Sequence, residues 1–219
     1  MSHYAHVRIW EPIQRASRVT RYEAPLASAL LSHRLGEVAG SSAVMTREME
    51  IEYVEFELLL ANLDTALEMV KLVLEEAGAP AGSEIRFRRD EKDEVLAFGR
   101  KEGLAIYLDG IGLPDEAYET CSCDGLAFLI SPALSSVDGE IRGSWVGRSE
   151  TSIYVYGANA ETMFSTIKPL LDTYPLCQNA RIVIRHGNPE LHPRTVRLPF
   201  HEETENVRQV FWRSAHGHG

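Results

Sequence analysis

An α+β protein assembled from two tandem βαββαβ units is the fold this chain predicts. Three observations carry the prediction. The segment Gly36-Glu37-Val38-Ala39-Gly40-Ser41 recurs as Gly139-Glu140-Ile141-Arg142-Gly143-Ser144. Each copy is followed by a strand, an amphipathic helix and a second strand. The chain has 219 residues, 44% hydrophobic and 25% charged, which allows one large domain or two small ones, and the repeat favours two.

In the first unit, Ala5 to Ile13 reads as a strand because Val7 and Ile9 alternate with Arg8. Arg15, Arg18 and Arg21 read as a basic linker. Pro25 sits where a helix can begin, with Leu26, Ala29 and Leu30 on one stripe, and Gly36 stops it. Glu37 to Met45 is a weak strand whose Gly40 and serines predict a bend or an exposed edge. In Met49 to Ala61 the alternation changes parity near Tyr53 to Glu55, and a bulge there restores one buried face. Asn62 caps a helix striped by Leu63, Ala66, Leu67, Val70, Val73, Leu74 and Ala77, which Gly78 and Pro80 end.

The second unit repeats the plan. Gly103 to Asp109 is a strand, Leu113 to about Leu134 a helical region broken near Cys123 to Gly125, and Gly139 to Gly147 and Thr151 to Gly157 are strands. Asn159 caps a helix in which Pro169 predicts a kink or an early end. The order is that of a ferredoxin-like sandwich, with two helices on one face of a four-stranded antiparallel sheet. The expected division is 1–93, 94–187 and a C-terminal arm, 188–219, with a possible short helix. Residues 88–94 are charged throughout and serve as the boundary or as a hairpin tip. Val207, Val210 and Phe211 share a helical face in the arm.

No apolar run reaches the roughly 18 residues that span a bilayer, and the polar opening lacks the pattern of a signal peptide, so the expected location is the cytoplasm. Net charge is −10, and residues 102–172 hold 11 acidic groups against 3 basic ones. Such a field repels nucleic acid and attracts cationic protein surfaces. Cys121 and Cys123 are too close for a disulfide framework or a zinc site, and the acidic neighbours Asp115, Glu116, Glu119 and Asp124 raise a thiol pKa, so reduced structural cysteines are expected. Neither glycine segment has the spacing of a phosphate cradle. Strand aromatics Tyr53, Phe56, Tyr107, Tyr154 and Tyr156 are expected to pack in cores or between units, because base stacking needs basic surroundings. His216 and His218 read as surface residues of the terminus.

Three functions follow as expectations. The first is an acidic module that binds a basic protein, in its narrowest form an immunity or inhibitor protein, through Glu48, Glu50, Glu52, Glu55 and Glu57. The second is a small-molecule sensor that resembles ACT-type regulatory modules, with Gly40, Ser41, Gly143 and Ser144 close to the ligand and Arg185, His186 and His192 as further contacts. The third is an enzyme using the same histidine and arginine cluster. No cofactor, metal, nucleic acid or membrane partner is expected, and no catalytic residue is assigned. An exposed acidic face, a closed apolar pocket beside the glycines, or a carboxylate on His186 in a cleft discriminates among them.

Overall fold

The computed structural model describes residues 2–188 and 193–198. The first unit consists of β1 (His3–Ile9), α1 (Arg15–Arg18), a π-helical turn (Val19–Glu23), α2 (Ala24–Ser32), β2 (Gly36–Met45), β3 (Ile51–Leu60), α3 (Leu63–Glu76), β4 (Ser83–Arg89) and β5 (Lys92–Phe98). The second consists of β6 (Glu102–Asp109), α4 (Asp115–Thr120), α5 (Cys123–Ser135), β7 (Gly139–Val146), β8 (Glu150–Gly157), α6 (Ala160–Leu171), a 3-10 turn (Pro175–Cys177), β9 (Arg181–Arg185) and β10 (Arg194–Arg197). The sheets are antiparallel, in orders β2-β3-β1-β4-β5 and β10-β9-β6-β8-β7. Each is therefore a ferredoxin-like sheet with one strand added beside its fourth.

Alternation decides the cores. Ala5, Val7 and Ile9 of β1 and Val54, Phe56, Leu58 and Leu60 of β3 point at α2 and α3, where Leu26, Leu30, Leu67, Val70 and Leu74 meet them. In the second unit Leu104, Ile106, Val155, Ile182 and Ile184 do the same against Leu126, Ile130, Met163 and Ile167. Asn62 and Asn159 cap α3 and α6, accepting from the amides of Thr65 and Thr162. Among the described residues no helix is long and apolar enough to cross a membrane.

Several boundaries differ from the sequence expectation. Strand β1 ends at Ile9, because the amides of Glu11 and Ile13 bond locally to the carbonyls of Ile9 and Glu11 instead of a neighbouring strand. The basic linker is helical. Arg18, Tyr22, Leu26 and Leu30, four apart, are all buried. A strict spacing of four outruns a 3.6-residue turn, and the wider π turn keeps the four on one side. Pro169 falls in the last turn of α6, which continues to Leu171. Residues 88–94, read as a boundary or a hairpin tip, are the tip, with Asp90 and Glu91 both at positive φ (47° and 65°) as a two-residue turn demands. Strand β5 pairs with β4, so the first sheet runs to Phe98. Part of the expected arm, Arg194–Arg197, adds to β9 as an edge strand. The possible helix at 207–211 lies outside the described residues, as do His192, His216 and His218.

The predicted bulge in β3 lies at Glu52, between the pairs Val44↔Tyr53 and Met45↔Ile51. The repeated motif encodes two more. Ladder registers skip Ala39 in β2 and Arg142 in β7, the same position of Gly-Glu-[Val/Ile]-x-Gly-Ser. Gly36 opens the first copy at φ 141°, where a Cβ would lie 2.1 Å from the Leu59 carbonyl oxygen.

Candidate functional site

The bulge turns Arg142 out of its own sheet and into the first unit. Its guanidinium, 2% exposed, donates to Glu11 at 3.2 Å, to the Gly78 carbonyl at 2.8 Å and to Glu140 at 2.7 Å. Tyr22 also donates to Glu11. Burial raises the Glu11 pKa while Arg142 and Tyr22 pull it down, and burial works against the charge on Arg142, which Glu11, Tyr22 and Glu140 nevertheless hold above its usual range. In the first copy the bulge residue is Ala39, which faces solvent.

Arg142 is one of several contacts that close the outer face of the second sheet. Tyr107 and Tyr154 donate to Glu50 at 2.7 and 2.6 Å, Tyr156 to the Trp10 carbonyl at 3.2 Å, and Trp145 to the Met49 carbonyl at 3.1 Å. The three tyrosines are buried with Ala105 and Val183. Burial, reinforced by Glu50, pushes the Tyr107 hydroxyl up to about 12, and burial raises Tyr154 and Tyr156 as well.

The outer face of the first sheet is open and chemically different. One row across the strands reads Ser42, Glu55, Arg8, Glu84, and the next Gly40, Glu57, His6, Arg86. Arg8 lies 3.1 Å from Glu55, 3.8 Å from Glu84 and 4.2 Å from the Tyr53 ring centroid. Glu84 also holds Arg86 at 2.6 Å, and His6 stands 3.4 Å from Glu55. Matching ladder rungs between the units, His6, Glu57 and Arg86 occupy the places of Ala105, Tyr154 and Val183. The covered face centres on three tyrosines with Ala105 and Val183, flanked by Arg181 and Arg185, and the other is a charge lattice.

At one margin of that lattice β1 and β4 part. Their pairing runs from Arg8↔Glu84 to Ala5↔Phe87, while His3 and Tyr4 pair only with β3 and Arg88 and Arg89 only with β5. A cleft of about 900 Å³ opens there, lined by His3, Tyr4, His6, Arg86, Phe87, Arg88, Glu91, Asp93, Glu94 and Val95. Tyr4 is 52% exposed. We take the open face and this cleft together as the candidate site.

The five glutamates singled out in the sequence do not form one surface. Glu50 braces the seam, Glu55 is paired with Arg8 and His6, and Glu48, Glu52 and Glu57 are exposed, respectively in a turn, on a bulge and on the open face. The glycine and serine segments lie apart: Ser41, on the edge strand of the first sheet, donates to Glu23 at 2.7 Å, while Gly143 faces the Pro12 carbonyl. Arg185 sits near Tyr107 and Tyr156 on the second sheet. His186 meets Glu102 at 3.1 Å and Glu161 at 3.5 Å, and Arg194 donates to Glu161 at 2.8 Å. A histidine held by a carboxylate is half of a general-base arrangement. Here, however, the ring is half exposed and a second carboxylate faces its other nitrogen. His192 lies outside the described residues. Among those residues, no group of three or more histidines, cysteines and carboxylates is placed to hold a metal ion.

Sequence reasoning missed His6, Arg8, Tyr4 and Arg86, which only the sheet registers bring together. Arg142 carried a signal: it replaces alanine inside the repeated motif.

No family model matches the chain, and no curated protein matches it in sequence. Among solved structures it is similar to an unknown protein from Galdieria sulphuraria (12% identity, 84% of this chain and 98% of that one, TM-score 0.28). It is also similar to the regulatory subunit of aspartate kinase from Thermus flavus (16%, 77% and 92%, TM-score 0.25) and to the first two RRM domains of yeast poly(U)-binding protein (9%, 83% and 98%, TM-score 0.22). At such scores these likenesses say nothing about what this chain binds.

Proposed function

We propose that the protein is a non-catalytic binding module that engages a polypeptide carrying basic side chains, through the open face of the first sheet and the cleft beside it. The contrast between the two faces carries this reading: one copy of the sheet packs its tyrosines against the other unit, and the other holds a lattice of ion pairs around Arg8, Glu55 and Glu84 from which Glu57, Arg86 and Tyr4 reach solvent. The cleft is open, and charged side chains alternate in its lining with Tyr4, Phe87 and Val95, a mixture that suits the aliphatic stems and cationic heads of basic side chains. The carboxylates Glu57, Asp93 and Glu94, within a chain of net charge −10, disfavour phosphate backbones and steer cations. The unpaired strand margins of β1 and β4 suit an extended backbone. An inhibitor or immunity protein against a cationic target is the narrowest form of this reading.

The test is capture from lysate of the native host with three baits: the wild type, Tyr4→Ala/Glu57→Lys/Asp93→Lys on the candidate site, and Glu116→Lys/Asp124→Lys on the helical side of the second unit. The expected result is a stoichiometric protein held by the wild type and the helical-side variant and released by the site variant. Equal retention by all three, or no specific protein, overturns the proposal.

A further inference from the structure

Each sheet has two edges, and three of the four carry devices that discourage a further strand. Strands β2 and β7 are kinked by the bulges at Ala39 and Arg142. Strand β10 has only four residues, with Arg194 and Arg197 at its ends. Strand β5 has neither protection. It runs for seven residues in unbroken register with β4, from Arg89↔Lys92 to Ser83↔Phe98, and among the described residues no strand pairs with its other side. A regular edge of that length turns a row of backbone donors and acceptors outward.

The side chains along the edge define what it accepts. Val95, opposite Arg86, lies on the open face and is 60% exposed, and Asp93 is exposed on the same face. Arg88 stands across from Asp93 but donates to the Glu91 carbonyl at 3.0 Å, and Asp93 has no ion pair among the described residues. On the helical face Leu96 packs against the first core, and Glu94 is half-buried with Arg89 3.8 Å away. One end of the edge therefore shows a carboxylate on each face, and the other an aliphatic side chain on each. A second copy of β5 does not match this pattern. Paired antiparallel about Val95, Asp93 meets Ala97 and Glu94 meets Leu96, and shifts toward the charged end bring Glu94 opposite Val95, itself and Asp93 in turn. Like charges directly opposite destabilise a strand pair.

We propose that β5 is a docking edge for an extended segment of a basic polypeptide, which adds to the first sheet antiparallel to β5 as a sixth strand. The inference rests on the proposed function for the charge of the partner and goes beyond it in the mode of binding. In that orientation the partner places two apolar residues, opposite Leu96 and Val95, immediately before two basic ones, opposite Glu94 and Asp93. Main-chain bonds supply the affinity, and these cross-strand pairs supply the selectivity.

The experiment titrates the full chain into a fluorescent, end-blocked peptide, Thr-Thr-Val-Ile-Lys-Arg-Thr-Thr, and reads its anisotropy. Three further peptides accompany it: one with Glu-Glu in place of Lys-Arg, and two N-methylated at alternate residues, which block the donors along one edge or along the other. Saturable binding of the parent is expected, with one methylated isomer weaker by about tenfold and the other close to the parent, because an added strand uses the donors of one edge only. The exposed pair Asp93→Lys/Val95→Lys is expected to abolish binding. No saturable binding at about 1 mM, methylated isomers that behave alike, or undiminished binding by the variant overturns the docking edge and leaves the proposed function to the lysate capture. An acidic peptide bound as tightly as the basic one overturns both. The methylated peptides are read against the wild-type chain, so the test stands even where the variant misfolds.

Discussion

At the scale of single residues, the seam is governed by groups that cannot be removed one at a time. Arg142→Ala leaves Glu11 buried without its cation, and the expected loss is about 3–5 kcal/mol in chemical denaturation. Ala39→Arg, at the matching position of the first unit, is expected to change stability by less than about 0.5 kcal/mol, because that side chain meets water. The pH dependence has a definite sign. Tyr107 is held neutral, with its folded pKa near about 12 against an ordinary value of about 10. Its contribution is fully present below about pH 10 and is lost as pH rises through its folded value. Melting temperature is expected to fall across that window, less steeply in Tyr107→Phe, and parallel slopes would contradict the assignment. Little of this was legible beforehand. Glu50 reads as one acid among five in its stretch of sequence, and only the tyrosines that arrive from the other unit give it a different role.

At the scale of elements the sequence is a better guide, since periodicity is local. The stripe from Leu63 to Leu74 and the Asn62 cap appear as expected, and Leu67→Ala is expected to cost about 2–5 kcal/mol, measured by urea unfolding. One miss has a clear cause. The stretch from Arg15 to Arg21 looks like a linker because its arginines mask a four-residue spacing that continues into α2, and a π turn has no simple propensity signature. Residues 88–94 allow a boundary or a hairpin tip on sequence, and the pairing of β4 with β5 makes them the tip, with Asp90 and Glu91 as its turn residues. The repeated motif was visible at once, but its meaning was not: glycines and serines of that spacing invite thoughts of a ligand, and in the fold they frame a bulge on an edge strand.

For the whole molecule, the duplication was readable and the asymmetry between copies was not, because it depends on which side chains share a sheet face after folding. The asymmetry predicts how the halves behave alone. Residues 2–98 are expected to stay soluble, since their sheet face is ionic. Residues 99–219 lose the cover over Tyr107, Tyr154 and Tyr156 and are expected to bind a hydrophobic dye and to self-associate in sedimentation. A soluble, dye-negative second half would show that the seam is not what shields them. The same asymmetry bears on stacking. In a stacked array every member must cover its neighbour's face, and a terminal member must present one that water accepts. Here His6, Glu57 and Arg86 give the first unit such a face, and another copy could stack on it as the second unit's face is covered only after those positions were rewritten in the language of Ala105, Tyr154 and Val183.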